Sequence, residues 1–141
     1  MNQNKFDLLK TEFSFAQQQM DKYDQLAMTV KAWAVTLWVA SSGWALDSGK
    51  KEILLLGIVL VISFWFFDGI NKTFRTHYKH RRDEVAKILR EYCETGNIEK
   101  NVTSPQPPPY SLKGFFKNTM LLHISLPYVV FIAISVVLYF V

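Results

Sequence analysis

Ile53-Leu-Leu-Leu-Gly-Ile-Val-Leu-Val-Ile-Ser-Phe-Trp-Phe-Phe67 passes through Asp68, Gly69, Ile70 and Asn71 into Lys72-Thr-Phe-Arg-Thr-His-Tyr-Lys-His-Arg-Arg82 with no proline on the way. The first part is continuously apolar and reads as a membrane span. The second carries five Lys/Arg, two His and no acid. Nothing between them stops a helix, and helix formers continue to Glu94. One helix is therefore expected to leave the bilayer as a basic rod and end at Thr95-Gly96-Asn97, where Gly96 is a C-terminal signal. On it Lys72, Arg75, Lys79 and Arg82 share a face by steps of three and four.

Before this stretch, Asp47-Ser-Gly-Lys-Lys-Glu52 is a tight polar turn with Gly49 as its breaker. Ala32–Leu46 precedes the turn and contains no charge, so spans of about 30–46 and 53–68 are expected to form a transmembrane hairpin over 32–68. Trp33 and Trp44 stand where interface aromatics belong. Thr29, Ala32, Thr36, Ala40 and Gly43 form a small-residue stripe, which suits close helix packing or, alternatively, the lining of a narrow pore.

Residues 5–31 read as an amphipathic helix with its seam at Phe6, Leu9, Phe13, Ala16, Met20, Tyr23, Ala27 and Val30, in steps of three and four. Four lysines balance four acids there, so a packing helix is favoured over a lipid-surface anchor in the 1–31 segment. Beyond the basic helix of 69–96, residues 97–118 read as a linker. Its Ser104-Pro-Gln-Pro-Pro-Pro-Tyr110 is expected to be extended and semi-rigid. Asn101-Val-Thr103 matches a glycosylation sequon, which has no meaning on a cytoplasmic segment. Residues 119–141 read as a third span, softened near Pro127. A cleaved signal peptide is not expected.

Of the Lys and Arg residues, four lie in the N-terminal segment, two in the turn and ten in 69–118. The positive-inside rule then places the N-terminus and 69–118 in the cytoplasm and the C-terminus outside. The fold class expected is all-α and integral to the membrane, with three spans. The apolar side of the basic helix (Phe74, Tyr78, Val85, Ile88, Leu89 and Tyr92) needs either residues 5–31 or a second copy to cover it, and a cyclic homo-oligomer is expected.

The cations just inside the second span suffice to orient it and to bind anionic lipid. The ridge is longer than orientation requires, and Phe74 and Tyr78 interleave with it as aromatics do in single-strand nucleic-acid grooves. Lys72, Arg75, Lys79 and Arg82, with Phe74, His77 and Tyr78, are thus candidates for holding a nucleotide or oligonucleotide. Asp68, Thr36, Ala40 and His123 are candidates for a pore or gate. Asp68 could pair with Lys72 one turn on, or join a ring of carboxylates at a pore mouth. His123 is read as an interhelical hydrogen-bonding residue or a proton relay.

His77 and His80 lack further metal ligands nearby, and no catalytic constellation is evident. Neither enzyme activity nor a cofactor is expected, and no inverted repeat suggests transport by alternating access. The lone Cys93 excludes an internal disulfide. A membrane pore remains, or a non-conducting scaffold that recruits a cytoplasmic partner, or a pore-former without a ligand.

The helical lead-in from Phe13 to Met28, the Trp-rich first span, the short turn and the second span running into a Lys/Arg-rich helix resemble the small membrane effectors of bacterial anti-phage defence. The arrangement over residues 13–95 is similar to the SLATT-like two-span family and to the membrane effectors of Hailong systems. The third span and the Pro-rich linker depart from that plan. The resemblance implies a tetrameric ion channel that depolarises the membrane and is held shut by an oligonucleotide from a partner nucleotidyltransferase. Several copies of the ridge around one axis would attract such a polyanion strongly.

Overall fold

The computed structural model describes residues 2–96 and 112–140. All secondary structure among them is helical: α1 (Asn2–Ser48), α2 (Glu52–Thr95), α3 (Leu112–Thr119) and α4 (Leu122–Phe140). The two long helices end where the glycines sit. Gly49 and Gly96 have φ of 64° and 71°, the left-handed conformation that a side chain resists. Gly96 N–H also closes the last turn of α2 on the Tyr92 carbonyl at 2.8 Å. The continuous helix from the second apolar run into the basic stretch is thus observed, as is the unbroken run of the N-terminal helix into the first apolar segment.

α2 and α4 are long and apolar enough to cross a membrane. The chain divides into two compact units. The first contains α1 up to Asp24 and α2 from Phe74 onward; the second contains Gln25–Thr73, α3 and α4.

In the first unit the two helices pack antiparallel. Leu9, Val85 and Ile88 are buried together, with Phe13 and Leu89 against them. Aromatic contacts follow the same order: Phe6 meets Tyr92, Phe15 meets Tyr78, and Tyr23 stacks on Phe74 and Tyr78. Of the expected seam, Leu9, Ala16 and Met20 are buried. Residues of this same chain therefore cover much of the apolar side of the basic helix.

In the second unit Ala34, Val61 and Tyr128 form the core, flanked by Trp38, Phe64, Trp65, Phe131 and Ile132. Trp38 stacks on Phe131 at 4.8 Å, and its indole N–H donates to Ser135 Oγ at 2.8 Å. Trp65 stacks on Tyr128 and donates to the Thr119 carbonyl at 3.0 Å. Both indole donors are thus satisfied inside an apolar bundle, where an unpaired one would be costly. Gly57 lets α1 and α2 approach closely, since a Cβ there would lie 2.7 Å from Ser41 Oγ.

One feature differs from the sequence expectation. The segment read as the end of a linker contains α3, whose two turns are too short for periodicity to reveal. The face of α1 that packs within the second unit is Ala34, Ser41, Ser42 and Ala45, whereas Thr29, Ala32, Thr36, Ala40 and Gly43 all face outward. The Pro-rich stretch Ser104–Tyr110 and the sequon at Asn101 lie outside the described residues.

Candidate functional site

The residues expected to form an anion site fall in both units. In the first unit, Arg75 Nε lies 2.5 Å from Asp24 Oδ1, an ion pair by proximity rather than an aligned hydrogen bond. Arg82 donates to Asp83 Oδ1 at 2.6 Å and to Gln17 Oε1 at 3.2 Å. Its neighbour Arg81 bridges Glu12 at 2.6 Å and Glu84 at 2.9 Å. Lys79 and His80 are exposed. Three guanidinium groups of this ridge are therefore already matched by carboxylates of the same unit.

The aromatics are engaged as well. Phe74 is stacked on Tyr23 at 5.7 Å. Tyr78 sits among Phe15, Tyr23 and the edge of the His77 ring. A base entering between these rings would have to displace an intramolecular stack.

The electrostatics follow from these contacts. The Arg82 hydrogen bond holds the Asp83 carboxyl below its usual range, helped by Lys79 and His80. The Glu12 hydrogen bond, outweighing the opposing effect of burial, pushes the Arg81 guanidinium up. Burial, and then the nearby His80, push His77 down. Burial raises Tyr23, with Tyr78 adding to it.

In the second unit, Lys72 is half-buried on α2. Asp68 is enclosed within this unit. It is 2% exposed; its Oδ2 lies 3.2 Å from Lys31 Nζ and accepts a hydrogen bond from the Tyr128 hydroxyl at 3.2 Å. One carboxylate thus gathers α1, α2 and α4. As part of a pore-mouth ring it would first have to leave this pair. Thr36 and Ala40 are exposed on α1, with the Thr36 hydroxyl turned back onto the Ala32 carbonyl at 2.9 Å. His123 is exposed on α4, one turn before Pro127, which has no N–H to offer its carbonyl.

Sequence reasoning missed Lys31 and Tyr128 as partners of Asp68. A signal for Lys31 was present: it stands 18 residues before Gly49, and Asp68 stands 19 after it. In two straight antiparallel helices joined by a tight turn, such positions come level. No comparable signal marks Tyr128.

No group of three or more potential metal ligands occurs among the described residues. No known family model, characterised protein or solved structure matches this chain.

Proposed function

We propose that this chain is a subunit of a small homo-oligomeric ion channel, three spans per copy, acting as a membrane-depolarising effector in bacterial defence. Four copies would sit in the inner membrane with the N-terminus cytoplasmic and the C-terminus outside. The observation that carries the reading is the outward face of α1. Thr29, Ala32, Thr36, Ala40 and Gly43 are all exposed there, on the one long helix whose apolar segment is less hydrophobic than α2 and α4. A lipid-facing surface favours large apolar side chains, whereas small and hydroxylated ones suit a neighbouring helix or a wet pore.

Gating is assigned to an anionic nucleotide or oligonucleotide, supplied by a partner nucleotidyltransferase and held by Lys72, Arg75, Lys79 and Arg82. A second reading, a pore-former without a ligand, is favoured by the ion pairs Arg75–Asp24 and Arg82–Asp83, which neutralise part of that ridge. Ion flux from liposomes containing the purified protein tests both. Flux that Thr36→Trp abolishes supports the channel, and absence of flux from the unaltered protein overturns it. Modulation of flux by short single-stranded DNA, weakening as salt rises, supports the gate. Flux indifferent to such strands and unaltered by Arg75→Ala leaves the ligand-free pore.

A further inference from the structure

We infer that α3 is an interfacial helix that binds the anionic headgroups of the bilayer through Lys113 and Lys117. This rests on the reading of α4 as a membrane span. One face of α3 is fastened within the second unit. Phe115 stacks on Phe66 at 6.2 Å, and Asn118 donates to Thr73 Oγ1 at 3.3 Å. Thr119 is buried, in a gap left by Gly69, with its carbonyl taken by Trp65.

What remains outward is divided by chemistry. Leu112, Phe116 and Met120 form a stripe at four-residue spacing and are 71%, 53% and 61% exposed. About 100° per residue puts Lys113 and Lys117 in the next sector round the helix, beside that stripe. Both lysines are exposed, and neither has an ion-pair partner among the described residues.

The occupant follows from position and charge. α3 is followed within a few residues by Leu122, the first residue of the apolar α4. It therefore lies at the edge of the hydrocarbon layer, where an apolar stripe dips among the acyl chains. Two lysines beside it reach lipid phosphates with their stems lying along apolar surface. A water-facing helix would leave three large apolar side chains uncovered, at the point where lipid is nearest.

The test uses the full chain, with Cys93→Ser, in nanodiscs of phosphatidylcholine alone or mixed with phosphatidylglycerol. Spin labels are placed singly at Leu112→Cys, Phe116→Cys, Lys113→Cys and, as a control within α4, Val130→Cys. Labels at 112 and 116 are expected to collide with oxygen more than with an aqueous nickel chelate, and the label at 113 the reverse. Preference for phosphatidylglycerol is expected to fall by up to about fivefold for each lysine changed to Gln.

A lipid-buried label at 130 with water-accessible labels at 112 and 116 overturns the inference and leaves the span intact. A water-accessible label at 130 sinks the membrane reading itself. Disulfide cross-linking between copies through 116, or a lipid preference that survives Lys113→Gln/Lys117→Gln, also overturns it.

Discussion

Lys31 Nζ stands 3.2 Å from Asp68 Oδ2, joining α1 to α2 at a carboxylate that the surrounding bundle almost completely covers. A buried pair of this kind adds little net stability, but losing one member leaves the other charged and uncompensated. Lys31→Met should therefore cost about 3 kcal/mol, toward the lower end of the range because the lysine is itself partly exposed. Lys31→Met combined with Asp68→Asn should recover at least about 1 kcal/mol relative to the sum of the single changes. Thermal unfolding in detergent, followed by circular dichroism, reads the cycle. Strict additivity would show that the two side chains act independently.

Gly69 is the second pressure point of this unit. A Cβ there would fall inside the van der Waals envelope of Thr119 Oγ1 and 3.0 Å from its Cβ. Gly69→Val should detach α3 from α2, exposing bonds near Lys117 to trypsin before the rest of the unit melts. Thr119→Ala, which empties that space, should restore part of the protection. Identical digestion of Gly69→Val and the unaltered protein would contradict the close approach.

The core of the first unit offers a simpler test. Leu9 is 1% exposed against Val85 and Ile88. Leu9→Ala should destabilise this unit by about 3 kcal/mol, through lost burial and the cavity left behind. Exposed Leu8→Ala should change it by less than about 0.5 kcal/mol. Hydrogen exchange along α2 beyond Phe74, measured by mass spectrometry, separates the two.

The same unit should lose stability in mild acid through His77. Its folded pKa lies below the ordinary value of 6.5 because burial, and then His80, oppose the charge. Above that pH both folded and unfolded states are neutral at this residue, so it contributes no pH dependence. As pH falls through about 6.5 the unfolded chain takes up the proton first, and stability declines until the folded pKa is passed. Unfolding of the unaltered protein and of His77→Gln, compared between about pH 7.5 and about pH 5, should show a smaller decline in the variant. An equal decline in both would move the effect to another group.

Much of this architecture is legible without coordinates, because its signals are local. Gly49 and Gly96 mark helix ends by backbone conformation alone, and the apolar seam from Leu9 to Met20 marks a packing face by spacing. The state of the basic ridge is not local. Arg75 meets Asp24, and Arg82 meets Gln17, only because the stretches of α1 and α2 within the first unit return along each other in one register. Charge counting along α2 alone therefore overstates how many of its cations stand ready for a ligand. α3 is not legible for the opposite reason: eight residues carry too few turns to establish a period, and its helical state is supported by contacts with Phe66, Trp65 and Thr73.

The turn at Gly49–Lys51 has a consequence for biogenesis. The segment of α1 before it is less apolar than those of α2 and α4, and it carries Lys31 at one end. On the three-span reading, so brief a connection leaves α1 no time to wait in water while α2 partitions. Both halves would leave the translocation machinery together as a helical hairpin, with Lys31 and Asp68 crossing into low dielectric already neutralised by each other. Lengthening this turn with a flexible insert would then uncouple the two insertions and strand the less apolar segment outside the bilayer.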